Sequence, residues 1–266
     1  MYWTHVARKD FADAIRSRMF WALSVLILLL AYAGLYIPEA VSEDPSVTDG
    51  IRVLSGILAT LIPIIALVVG YMSIVRERQT GSIRMVLGLP LKRWEVFVGK
   101  LVGRTAVMVV PLLVGFGLAV PFAFVVYGEL PGTEYGEFVT GTVLIGATFV
   151  AIALGISGAV RTRGQALAGV VGVFALFEIL WSFVGVGLYW VFNRELPGAE
   201  RPTWLDALTD ASPISAAISA SDGLWNGIST GEPLVLQEWF SALVLLLWIV
   251  VPLALGYTQF KRADIS

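Results

Sequence analysis

Few residues in this chain combine a reactive side chain with an apolar setting, and Glu178 is the clearest of them. It lies in the apolar block that runs from Ala166 to Phe192, close to the middle. An ionised carboxylate at the centre of a hydrocarbon layer costs at least ~2.5 kcal/mol, so Glu178 must face protein, water or a partner, or be protonated. Its functional readings are a contact in a substrate path, a proton site or a gating hydrogen bond. Its structural reading is a neutral acid bonded to Ser182, Tyr189 or Thr148. No second ionisable residue lies deep in any apolar block, so no proton relay is spelled out. Other catalytic chemistry is poorly supplied. The chain has no cysteine, and its single histidine, His5, precedes the first apolar block. Thiolate sites, cysteine nucleophiles and histidine-activated serines are therefore excluded, and no HExxH metal motif occurs. Asp206, Asp210 and Asp222 lack the compact alternation of a calcium loop and read as a solvated acidic face. No GxxxxGK[ST] phosphate loop is present, so any ATP hydrolysis must come from another polypeptide. We expect no metal or cofactor on this chain.

The elements that must position Glu178 are membrane spans. Of 266 residues, 57% are apolar and 14% charged, with a mean hydropathy of +0.81; soluble domains carry roughly 25% charged residues. The apolar residues form blocks about as long as the ~20 residues needed to cross the hydrocarbon core. We expect an all-α integral membrane protein with six spans, at about 19–37, 51–75, 105–127, 138–160, 166–192 and 239–260. Residues 1–18 read as a short amphipathic helix. Trp3, Ala7, Phe11, Ala14 and Ile15 share one face, opposite Arg8, Lys9, Asp13 and Arg16, a pattern suited to the membrane surface. Trp3, Trp21, Trp94, Trp190, Trp204 and Trp239 fall near span ends, where an aromatic belt accounts for them. Small residues four apart, at Gly99/Gly103, Ala151/Gly155 and Ala168/Gly172, mark close helix packing.

Charge gives the orientation. With six spans, fifteen of the eighteen Lys and Arg residues fall on the side of the termini, and only Arg52, Arg194 and Arg201 on the other. Acids run inversely. The positive-inside rule then puts both termini in the cytoplasm and makes 193–238, rich in acids, an extracytoplasmic segment. Such a chain belongs in the cell membrane, with the lipid bilayer as a partner, and nothing in it calls for nucleic acid.

The segment Arg76–Arg104 is the second feature with chemistry to offer. It holds seven of the Lys and Arg residues against two acids, Glu77 and Glu95. A connection between spans needs only a few residues, and this one carries start and stop signals of its own. Thr80-Gly81 breaks the preceding helix, and Ser82 can cap a short helix over Ile83–Leu87. Gly88 can end it, Pro90 prevents it resuming, and a new helix starts near Lys92 and runs into the third span. The plain alternative is a basic segment held against anionic headgroups.

These residues resemble the signature of type-2 ABC transporter permeases. The matching positions are Glu77, Gly81-Ser82-Ile83, Leu87, Pro90, Lys92-Arg93 and Gly99-Lys100, with Arg84 inside the short helix. Ser212-Pro213-Ile214-Ser215-Ala216 resembles a short motif of that family's last external segment, and the six-span layout with an N-terminal interfacial helix is also similar. Within the family, the resemblance extends to permeases linked to the maturation of copper enzymes such as nitrous oxide reductase. The resemblance implies a permease subunit, acting as a homodimer and as an exporter. Each copy would dock on a cytoplasmic ABC ATPase through a coupling helix between spans 2 and 3, with ATP and Mg held by that ATPase. Two other readings remain open on the residues alone: an ion-coupled secondary transporter using Glu178, and a non-transporting membrane scaffold.

Overall fold

A computed structural model describes residues 2–80, 92–198, 201–229 and 231–262. Those residues are helical throughout their ordered elements, with no strand among the described residues. Six helices are long and apolar enough to cross a membrane.

A short helix α1 (Trp3–Ile15) precedes α2 (Arg18–Val41), and Ser17 separates the two by accepting the Phe20 amide at 3.2 Å. Ser46 begins α3 (Val47–Gly70) in the same way, accepting the Asp49 amide. Each serine oxygen satisfies one of the amides a helix start leaves without a partner. The chain then turns over Tyr71–Ile74 before α4 (Val75–Thr80). The break is held from outside: the buried Ser157 hydroxyl accepts the Ile74 and Val75 amides at 3.0 and 3.1 Å.

The next helix, α5 (Arg93–Tyr127), has 35 residues, a length of ~52 Å at 1.5 Å per residue. That exceeds the ~30 Å hydrocarbon core, so α5 extends well beyond it. Gly128 closes it in the left-handed conformation, φ 74°. Helix α6 (Thr133–Ala159) is the hub, with 67% of its apolar window buried; α3, α5 and α11 (Glu238–Arg262) pack around it. At Gly155 and Gly256, α6 and α11 meet backbone to backbone with no room for a Cβ on either.

The fifth span is composite: α7 (Arg163–Phe174), a π-helical stretch over Ala175–Leu180, and α8 (Trp181–Asn193). It is the least covered of the six, with 11% of its window buried. The small pair Ala168/Gly172 lies here, and among the described residues nothing comes within 4 Å of a Cβ at Gly172.

Between the fifth and sixth spans the chain forms a helical hairpin, α9 (Thr203–Asp210) and α10 (Pro213–Asn226). Its turn reaches into the bundle. Trp181 donates to the Leu208 carbonyl at 3.1 Å and Trp248, ten residues into α11, to the Ala211 carbonyl at 2.9 Å. Ser212 caps α10 by accepting the Ser215 amide, with Pro213 at the first helical position. Helix α10 returns along α6, its Ser221 beside Gly141 and its Trp225 beside Gly136. Pro213, Ala216, Ala217, Ala220 and Ser221 are buried against α6 and α11. The acidic residues of 193–238 therefore accompany two packed helices.

Candidate functional site

The ends of α4, α5, α6 and α11 nearest the basic segment come together, and α1 lies along α5 there. Gly99 and Gly103 make the join. A Cβ on Gly99 would lie 2.7 Å from the Trp3 carbonyl, and one on Gly103 3.1 Å from the Ala7 carbonyl. The small-residue pair thus seats α1 directly on α5. Glu95 fastens the same two helices, one carboxylate oxygen accepting the Tyr2 amide and the other the Lys92 amide, both at 3.0 Å.

The approach of α1 brings Asp10 over two cations of α5. Arg104 Nη2 donates to Asp10 Oδ1 at 3.1 Å, and Arg104 Nε stands 2.9 Å from Oδ2 at an angle too oblique for a hydrogen bond. Lys100 Nζ donates to Glu77 Oε1 of α4 at 2.7 Å and lies 3.8 Å from Asp10. Two cations and two anions make a neutral cluster, in which the Lys100 side chain is 5% exposed and that of Asp10 10%. A charge so covered persists only with its partners. The cluster therefore ties α4, which precedes residues 81–91, to α5, which follows them, and both to α1.

A second set of bonds reaches α6 and α11. Arg78 donates to the Val160 carbonyl at 2.9 Å and its guanidinium sits 5.2 Å from the centre of the Phe260 ring. Arg93 donates to the Phe260 and Lys261 carbonyls at 3.3 and 2.5 Å. These carbonyls belong to the last turn of a helix, where cations are favoured.

Of the positions that carried the sequence signature, Glu77, Lys92, Arg93 and Lys100 are placed here, and Glu77 and Lys100 are brought together. Gly81, Ser82, Ile83, Arg84, Leu87 and Pro90 lie outside the described residues. Sequence reasoning missed Asp10 and Arg104 as a pair, and it missed Ser157. A usable signal existed for the first: Lys100 and Arg104 each follow a glycine of the Gly99/Gly103 pair, so a helix docked on those glycines must answer two cations.

Glu178 sits in the π-helical stretch. One carboxylate oxygen accepts from the Thr60 hydroxyl of α3 at 3.3 Å, while the other is buried without a partner among the described residues. Of the expected partners, Tyr189 stacks its ring on Trp204, and the buried Thr148 hydroxyl has no partner among the described residues. A π turn bonds i to i+5 and shifts the phase of the side chains that follow, which helical spacing could not foresee. Phe177, the residue before it, and Trp181, three residues after it, pack with Trp248 beneath the hairpin. Asp206, Asp210 and Asp222 do not converge: the described residues hold no cluster suited to a metal ion, and Asp222 accepts from Asn226 at 2.6 Å. Burial, then the neighbouring Asp206 and Glu232, push the Asp210 carboxyl above its ordinary range.

Six apolar helices, an inserted hairpin and a charged lock at one end define a multi-pass membrane protein. Residues 4–265 match the model of the ABC-2 family transporter proteins. Two full-length relatives are each named a probable ABC transporter permease protein NosY. That of Stutzerimonas stutzeri is 31% identical over 97% of this chain and 97% of the relative. That of Pseudomonas aeruginosa is 28% identical over 99% and 98%. A probable multidrug ABC transporter permease, YbhR of Escherichia coli, is 30% identical over 61% of this chain and 40% of its own. The chain belongs to the ABC-2 family and is an ABC transporter permease subunit, the part of such a transporter that has no catalytic ATPase domain.

Proposed function

We propose that this permease forms, with a second copy of itself, an export pathway through the cell membrane, driven by a separate cytoplasmic ABC ATPase that docks on the segment 81–91. Ile83 and Leu87 are the apolar docking contacts, and Arg84, Lys92 and Arg93 the basic ones around them. Both termini lie in the cytoplasm in this reading, and α1 rests at the membrane surface. The observation that carries it is the charged lock. Glu77 and Lys100, with Asp10 and Arg104, bind the two flanks of 81–91 into one block with α1. A docked partner can then move α4 and α5 together, whereas an ordinary connecting loop would absorb the displacement. ATP and Mg reside on the ATPase.

The uncovered fifth span is the face we assign to the second copy, and Glu178, with one oxygen unpartnered, the polar contact we place along the pathway. Full-length similarity to two NosY proteins supports a place among permeases that serve the maturation of copper enzymes such as nitrous oxide reductase.

The test is co-purification of the tagged chain in mild detergent, wild type beside an Ile83→Asp/Leu87→Asp double variant. The wild type should retain an ATPase chain, and the variant should lose it while eluting as the same folded species. Equal recovery from both would refute docking through this segment.

A further inference from the structure

Helices α3, α6 and α10 line a partly open cavity of about 240 Å³ at the acidic end of the bundle, far from the charged lock. Two glutamates, Glu134 and Glu137, stand at its mouth. Ile51, Ile145 and Ile218 line its apolar part. From Glu134 to Ile145 the wall descends eleven residues along α6, on the order of 16 Å at the helical rise. The volume has room for a ligand of several heavy atoms and not just one water.

The polar lining has a single character. Ser55 donates its hydroxyl proton to the Ile51 carbonyl, Thr142 to Phe138 and Ser221 to Ile218, each at 2.8 Å. A carbonyl can only accept, so all three hydroxyls have committed their protons to their own helices and can offer the cavity only lone pairs. Glu134 and Glu137 add carboxylate oxygens. Thr48 donates to one oxygen of Glu134 at 2.9 Å and Asn226 to one of Glu137 at 3.2 Å, both neutral groups. Among the described residues no cation pairs with either glutamate, and no residue lining the cavity carries a Lys, Arg, His, Asn or Gln donor. Phe138 contributes a ring, whose face attracts cations.

A lining of acceptors only, anionic at the mouth and apolar in depth, is complementary to one chemical class. We propose that this cavity binds an organic ammonium carrying an apolar chain, its N–H groups on Glu134 and Glu137 and its chain running past the hydroxyls along the isoleucines. The headgroup of an ethanolamine phospholipid and a soluble amphiphilic amine share that chemistry. The site is independent of ATPase docking and lies wholly within one copy of the chain.

The probe is n-decylamine, with neutral n-decanol as its match in length, counted on the full-length protein by native mass spectrometry. Wild type should bind one decylamine and discriminate against decanol. Glu134→Gln/Glu137→Gln, which keeps side-chain shape, should weaken decylamine by about tenfold or more, as expected for lost hydrogen bonds to a charged group. Thr142→Val, isosteric and away from the mouth, should weaken it less, and both variants should elute and melt as the wild type does. Equal binding of decylamine and decanol, or decylamine binding unchanged in the double variant, overturns the site. Ethanolamine phospholipid carried through purification by the wild type and lost by the double variant identifies the lipid source. Uptake of decylamine by wild type that carries no such lipid identifies a soluble amine, and wild type that holds neither overturns the proposal.

Discussion

Lys100 was visible in the sequence as a cation; its burial was not. It sits four residues from Arg104 on α5, and both charges depend on acids from distant parts of the chain, Glu77 and Asp10. Removing one member of a covered charge set leaves its partner exposed to the full desolvation cost. Lys100→Met should therefore lower stability by about 3 kcal/mol in thermal or denaturant unfolding in detergent. Adding Glu77→Gln should recover part of that loss, since it removes the orphaned anion. A purely additive double variant would mean that the two charges act separately. Glu178 teaches the converse lesson. Its position in the span was plain from composition, but its partner Thr60 depends on the π turn and on which helix stands opposite, neither of which leaves a mark in single-sequence periodicity.

At the scale of elements, the pair Gly99/Gly103 announced a close contact, and α1 is what makes it. Its partner was hidden because the spacing of small residues marks a surface and says nothing of what lies on it. Gly99→Leu should force α1 off α5, read as faster proteolysis of the N-terminal helix and loss of the Tyr2–Glu95 bond; unchanged protection would contradict the seating. The break before α4 depends on Ser157, whose hydroxyl receives two amides. Ser157→Ala leaves both amides buried without that acceptor, a cost of about 1–3 kcal/mol for each group so stranded. The variant should melt earlier and lose ATPase recovery together. The hairpin α9–α10 was the least legible element. The motif Ser212–Ala216 marks where its second helix begins, while the buried Ala217 and Ala220 that let it sit against α6 look unremarkable in sequence.

For the whole molecule, the six apolar helices were legible because ~20 apolar residues in a row have almost no other use. Orientation is a stronger claim, and the native lack of cysteine makes it accessible to test. In the proposed topology, Glu232→Cys should react with a membrane-impermeant maleimide on intact cells, and Thr162→Cys only after the cells are opened. The reverse pattern would invert the molecule and remove the basis for docking at 81–91. The same freedom from cysteine supports the most direct measurement of the central claim. A single Leu87→Cys chain, treated in native membranes with a short bifunctional thiol–amine reagent, should cross-link to the ABC ATPase subunit. A Glu232→Cys chain at the opposite end should give no such product. Absence of the adduct from Leu87→Cys in membranes that contain the ATPase, or its formation from Glu232→Cys, would contradict the account.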